Sequence, residues 1–417
     1  MRPIQVLVAS AVLGVGAVGA AVKLSPASAP WASHPAWERR HAGPDSGRVA
    51  ILIDALGKTD PIVCELIGDQ LGNFWWSGEQ SGVGRLAGAP ANQQATKDSI
   101  GGTISDPRAI ERLIAELSSP NACIRRVSGK LLGRSVITAA RLSSLLADPS
   151  PTVREAAAMA AGNGDHLDVR VALEKALDDR APAVAAMSAW ALGEIENHES
   201  LPALIKAARS TEPRVRLAAI WALGQHEDAR AIPVVLPALR DADPNIRAMA
   251  AEVLGKFEGE ESVVPLQRAL GSDDNARVRA AAAQSLGEKN VQSSVTVLGK
   301  AMDDADIAVR SAAAEALGQL NEFHSAPAGL VSALKSSDAE LRHIAAMSLA
   351  SIGDPATTSA LIGLLSDPEP EIRKNAIEAL GNIGSPSAVT GLTKALNDKD
   401  PQVRKAAAEA LGEIKDK

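Results

Sequence analysis

Along most of its length the chain repeats a single pattern of apolar and polar positions. A polar residue comes first, often followed by proline. Apolar residues then recur three and four apart, and the segment closes on Leu-Gly or Ala-Gly. In "DPNIRAMAAEVLG" the residues Ile246, Ala250, Val253 and Leu254 fall on one side of a helix. The same frame is present in "SPTVREAAAMAAG", "EPRVRLAAIWALG", "EPEIRKNAIEALG" and "DPQVRKAAAEALG", and eleven copies can be aligned in all. The leading Asp, Asn, Ser or Glu suits an N-cap, and proline suits the first helical turn. Gly closes ten of the eleven copies, which predicts a left-handed C-terminal turn there. A second, shorter helix follows each copy, as in "RAIPVVLPALRD".

A cationic position fixes the register. It holds Arg125, Arg154, Arg216, Arg247, Arg279, Arg310, Arg342, Arg373 and Arg404, with Ala185 as an exception and Cys64 in an isolated first copy. Successive positions from 125 onward lie 29 to 32 residues apart. Aspartates precede many of them by six residues: Asp148, Asp179, Asp241, Asp273, Asp304, Asp367 and Asp398. Paired in that order, the two residue types predict a ladder of charge-assisted hydrogen bonds between neighbouring repeats. No copy can bury its apolar face alone, so the copies must stack. The expected fold is an all-α solenoid of ten to eleven two-helix repeats of about 31 residues.

This period and motif resemble HEAT repeats, in particular the short type named for phycobilisome bilin lyases, over residues 49–72 and 106–417. The resemblance implies a superhelix with first helices outside and second helices lining the inner side. It is specific for fold and weak for function, because such repeats serve lyases, hydroxylases and plain adaptors. Deoxyhypusine hydroxylase, a related family, binds a di-iron centre through His-Glu pairs on repeated helices. Here His198-Glu199 and His226-Glu227 sit after the closing glycine, at unequal offsets from it, so repeat symmetry does not make them converge. His343 is followed by Ile344. These histidines read as surface-loop residues, and no catalytic, cofactor or metal residue is assigned.

Composition narrows the picture further. The 417 residues are 46% hydrophobic and 22% charged, with a net charge of −7, six Trp, three Phe and no Tyr. An acidic chain is a poor binder of nucleic acid. The N-terminal "IQVLVASAVLGVGAVGAAV", residues 4–22, follows Arg2 and reads as an export signal within residues 1–29. It is also long enough to serve as a retained membrane tether. Both outcomes place the remainder outside the cytoplasm, in the periplasm or beyond. Residues 30–48 read as an arm.

Residues 73–105 interrupt the repeats with a Gly- and Ser-rich insertion that opens on Phe74, Trp75 and Trp76. With Trp31 and Trp37 these aromatics form either a cap over the first repeat or a binding loop. Cys64 and Cys123 flank the insertion and are the chain's only cysteines. In an oxidising compartment they are a candidate disulfide, although equivalent positions on adjacent helices usually lie beyond the roughly 7 Å limit between Cα atoms.

One segment, "APAVAAMSAWALG", has no charge. Five residues past the cationic position five copies carry Glu or Gln (Glu252, Gln284, Glu315, Glu378 and Glu409), whereas three consecutive copies carry Met159, Trp190 and Trp221. With Leu217 these residues form either an exposed apolar stripe for docking a partner or a stretch more deeply buried than its siblings. The function expected is an exported, non-catalytic scaffold that holds a protein partner. The alternative is an enzyme of the HEAT-like lyase or metal-dependent hydroxylase type.

Overall fold

A computed structural model of the chain describes residues 46–56, 103–164, 167–320 and 325–415. It divides into two compact units, Met1–Ala207 and Ala208–Lys417. Both are all-α. Among the described residues the only β contact is a single bridge between Ile104 and Ser135.

The first unit contains α1 (Ser46–Leu56), α2 (Pro107–Glu116), α3 (Ala122–Gly133), α4 (Ala139–Leu146), α5 (Pro151–Asn163), α6 (Arg170–Ala176), α7 (Pro182–Ile195) and α8 (Leu201–Ala207). The second contains α9 (Pro213–His226), α10 (Ile232–Ala238), α11 (Pro244–Lys256), α12 (Val263–Ser272), α13 (Ala276–Glu288), α14 (Val295–Ala301), α15 (Ile307–Gln319), α16 (Ala328–Ala333), α17 (Ala339–Ile352), α18 (Thr358–Gly363), α19 (Pro370–Ile383), α20 (Val389–Ala395) and α21 (Pro401–Lys415). Long first helices alternate with short second helices. Each first helix packs on the next first helix within its unit, as α5 does on α7 and α13 on α15. The chain is an all-α solenoid.

The helix starts follow from their caps. Asn121, Asp243, Asn275 and Asp306 each accept the backbone N–H two residues on, at 2.8–2.9 Å. Ala181 and Glu212 make no such bond, and there proline at the first helical position begins the helix. Many second helices are entered through a single 3-10 turn, for example His198–Ser200 and Ala229–Ala231. The sequence pattern does not announce these turns.

The closing glycine does something other than the expected cap. Gly162, Gly224, Gly287 and Gly318 all lie inside the last turn of their helices. A Cβ on Gly287 would stand 2.8 Å from the Cα of Ala316, and one on Gly318 would stand 2.9 Å from the Cα of Ser348. Glycine is therefore the point of closest approach between consecutive first helices. The left-handed residue comes three positions later, at Glu196, Glu227, Asn290, Gly353 and Gly384, with φ of 48–70°.

Helix α7 carries its one charge, Glu194, exposed in its last turn, and from Val184 to Gly193 it is buried all round: Val184, Ala185, Ser188, Ala189 and Leu192 are at most 2% exposed. A stretch with no polar face, as from Val184 to Gly193, is what such a position requires. The expected first repeat, 49–72, is described only to Leu56, and its helix begins earlier, at Ser46. The Ser46 N–H donates to Asp106 at 2.8 Å and so ties α1 to the start of α2.

Candidate functional site

The cationic position and the aspartates form one repeated unit. Arg247 shows its construction. Its Nη1 donates to the carbonyls of Asp241 and Ala242, at 3.0 and 3.4 Å, which fixes the guanidinium against its own helix start. Its Nε and Nη2 then donate to the two carboxylate oxygens of Asp273 in the following repeat, at 2.8 and 2.9 Å. Nη2 also reaches Asp274 at 2.6 Å. The Asp273 carboxylate in turn accepts the N–H of Asn275, the next N-cap residue.

The same two-pronged contact joins Arg154 to Asp179, Arg216 to Asp241, Arg279 to Asp304, Arg342 to Asp367 and Arg373 to Asp398, with Nε–O distances of 2.7–2.9 Å. The sequence pairing is corrected in one respect. The aspartate six residues before an arginine offers that arginine only its main-chain carbonyl. Its carboxylate belongs to the arginine of the preceding repeat, 25 or 26 residues back.

Three arginines depart from the pattern. Arg125, Arg310 and Arg404 make the carbonyl contacts alone. Asp148 lies only 23 residues after Arg125, and its Oδ1 accepts the Ser150 N–H.

Electrostatics follow the geometry. The Arg154 guanidinium and the Ala181 N–H hold Asp179 below the usual carboxylate range, against the opposing pull of burial. Asp304 and Asp398 are lowered in the same way, first by Arg279 and Arg373. For Asp241, Asp273 and Asp367 burial is the largest influence and acts upward, yet the arginine and N–H contacts together outweigh it.

Above these contacts lie grooves between consecutive second helices. In the second unit a groove of about 810 Å³ separates α10 from α12. Pro233, Leu236, Pro237 and Pro265 wall it, Arg240 and Arg268 flank it, and the Arg247–Asp273 pair lies at its base. In the first unit a groove of about 600 Å³ stands between α4 and α6, over the Arg154–Asp179 pair, with Leu146, Pro149 and Lys175 in its walls. The sequence reading passed over this surface. The signal was present in the prolines at 233, 237 and 265, which lie within the second helices α10 and α12.

The proposed apolar stripe is not a stripe. Met159 is 5% exposed and Trp190 8%, while Leu217 and Trp221 are half-buried. The equivalent positions Gln284, Glu315, Met347, Glu378 and Glu409 of the second unit are exposed, whereas those described in the first unit, Lys130, Met159 and Trp190, are all buried. The reason is local: Met159 reaches over Gly129 and Trp190 over Gly162, filling the space that a side chain there would take. His226 is also buried, as the last residue of α9, whereas His198 is an exposed residue of a 3-10 turn. His343 Nδ1 meets Asn375 Nδ2 at 2.7 Å. Among the described residues no group of His, Cys, Asp and Glu is arranged to hold a metal ion.

Trp31, Trp37, Phe74, Trp75, Trp76 and Cys64 lie outside the described residues, as do residues 1–29, the arm up to residue 45 and the insertion up to residue 102. Cys123 is disulfide-bonded. Among the described residues no helix is long and apolar enough to cross a membrane.

Comparison with known proteins bears on the fold. Comparison with curated protein sequences finds no match. Among solved structures, importin beta in an ammonium sulfate condition overlays with a TM-score of 0.54 at 15% identity, covering 88% of this chain and 55% of that one. Yeast importin-beta (Kap95p) gives 0.54 at 13% identity, with the same coverage. The chain thus spans about half the length of these importins, and the likeness is one of fold. Human deoxyhypusine hydroxylase in complex with glycerol overlays at only 0.28, with 19% identity over 67% of this chain and 96% of that one. The model for HEAT repeats matches residues 138–218, 201–287, 270–328 and 327–412. With its two-helix period, its linked arginines and aspartates and this match over most of its length, the chain belongs to the HEAT-repeat family.

Proposed function

We propose that the chain is an exported, non-catalytic scaffold that holds a protein partner along its second helices. The observation that carries this reading is the recurrence of one groove, built in the same way over Arg154–Asp179 and over Arg247–Asp273. Each is open to solvent, walled by proline and aliphatic side chains, and based on a carboxylate already neutralised by arginine. Small-molecule sites bury most of their ligand in an enclosed cavity. Open troughs repeated along an array suit an extended polypeptide, and HEAT solenoids often serve as protein-interaction scaffolds.

Export rests on the basic start and the apolar run at 4–22, which serves as a cleaved signal or a membrane tether. The disulfide at Cys123 supports it, since such bonds persist mainly in oxidising compartments. A photo-crosslinking residue placed at Pro237 or Arg268 tests the surface, with Met347, exposed on α17, as the control. A discrete crosslinked protein at the groove positions and none at Met347 is expected. Equal labelling at all three positions, or none, overturns the reading. Fusion of residues 1–30 to a reporter active only outside the cytoplasm tests export, and an inactive reporter overturns that part. A stoichiometric metal or a visible chromophore in the purified protein would favour the hydroxylase or lyase alternative.

A further inference from the structure

Six arginines in the repeats hold an aspartate of the next repeat. Arg310 has a following repeat and holds none. Its Nη1 donates to the carbonyls of Asp304 and Ala305, at 2.6 and 3.1 Å, the same anchor its siblings use. The guanidinium is therefore held in the orientation that presents Nε and Nη2 to the next repeat. The residue in the aspartate's place is Ser336. Its carbonyl accepts from Arg342 Nη1 at 2.8 Å, and its hydroxyl accepts the N–H of Asp338 at 3.1 Å, as the aspartates do elsewhere. Serine lacks the second oxygen and the reach of a carboxylate, and Arg310 Nε and Nη2 have no acceptor among the described residues. Lys335, exposed and adjacent in sequence, adds a second positive charge. The nearest carboxylate along the chain, Asp338, is engaged in capping the Leu341 N–H at 2.9 Å.

We propose that the Nε–Nη2 edge of Arg310, opposite Ser336, is a binding site for an external carboxylate that takes the place of the missing aspartate. A planar guanidinium meets a carboxylate through two parallel bonds, and anchoring its third nitrogen reduces the entropy lost on binding. The six occupied siblings show that the surrounding backbone accommodates a carboxylate at this edge. The carboxylate is either a free small acid or an Asp or Glu side chain of another protein. The site does not depend on the scaffold reading.

The test uses full-length protein labelled with 15N-arginine, with the Arg310 Nε–H signal assigned by its loss in Arg310→Gln. Sodium acetate, added at constant ionic strength against sodium chloride, is expected to shift that signal saturably. Ser336→Asp is expected to abolish the acetate response by filling the site from within. It should also slow hydrogen exchange in α16 and α17 by about tenfold, an effect absent when Arg310→Gln is added. An aspartate tripeptide with blocked termini that binds at least tenfold tighter than acetate identifies a protein-borne carboxylate. Equal affinity identifies a free acid, and both outcomes require the site. No acetate shift, an equal shift with chloride, or an undiminished acetate response in Ser336→Asp overturns the proposal.

Discussion

Trp190 lies over Gly162: a Cβ on that glycine would come within 2.7 Å of the indole Cζ3 and 2.9 Å of the Cα of Ala191. The pairing explains why α7 carries a tryptophan where four of its siblings carry glutamate. The indole is part of the seam between α5 and α7.

Gly162→Val should therefore destabilise the first unit by about 1–3 kcal/mol through overpacking. Trp190→Ala should cost about 3–5 kcal/mol through the cavity it leaves. Denaturant melts followed by tryptophan fluorescence measure both. A Trp190→Glu variant that melts like the wild type would contradict the burial described.

Arg247→Ala removes a guanidinium that bridges two carbonyls and two carboxylates, and it leaves Asp273 without its partner. A loss of about 1–3 kcal/mol is expected. Asp273→Asn keeps the shape and loses the charge, so it should cost less than Arg247→Ala. Equal effects in urea melts would mean that shape, not charge, holds the junction.

The linked aspartates set the response to acid. Their folded pKa values are lowered, so the unfolded chain takes up protons first as pH falls. The stability they contribute is complete above the unfolded value of about 3.9 and is lost as pH drops through the lower folded values. Urea midpoints should thus hold steady from pH 7 to about 5 and fall steeply below about 4. Asp304→Asn should flatten part of that fall.

The left-handed position that follows five of the first helices offers a paired test. Glu227 occupies it with φ 48° and Gly384 with φ 70°. Glu227→Gly should stabilise the second unit by up to about 1 kcal/mol, and Gly384→Ala should destabilise it by a similar amount. Thermal melts of the two single variants provide the comparison, and shifts of the same sign would argue against backbone strain as the cause.

Much of this fold is legible in the sequence because the repeat averages out local ambiguity. A lone "VRKAAAEALG" is only a helix, whereas a series at a fixed period identifies the stacking element and its register. The period also exposes the arginines and aspartates. What it leaves open is which neighbour each carboxylate meets, since position along the chain does not distinguish Arg216 from Arg247 as the partner of Asp241. Leu-Gly looks like a helix end because glycine commonly ends helices. Its role in helix contact depends on Trp190, Val253 and Ala316, residues some thirty positions away. The grooves were hidden for a similar reason: Pro237 and Pro265 line one groove only once two repeats are stacked.

Five aspartates of the ladder, Asp241, Asp273, Asp304, Asp367 and Asp398, face both ways, the carboxylate bound to the arginine behind and the carbonyl to the arginine ahead, as Asp241 is bound to Arg216 and Arg247. A stretch cut from one such arginine to just before the next holds its own arginine–aspartate pair, donates through its arginine to a carbonyl of the stretch before it, and offers its aspartate carbonyl to the arginine of the stretch after it, as the stretch from Arg247 does with Asp241 and Arg279. Tandem duplication of that stretch would create a new junction with both halves already present. The gene can thus lengthen its product one period at a time without inventing a new interface. Where a serine has replaced the aspartate, as at Ser336, the copied module would carry an unfilled socket along with it.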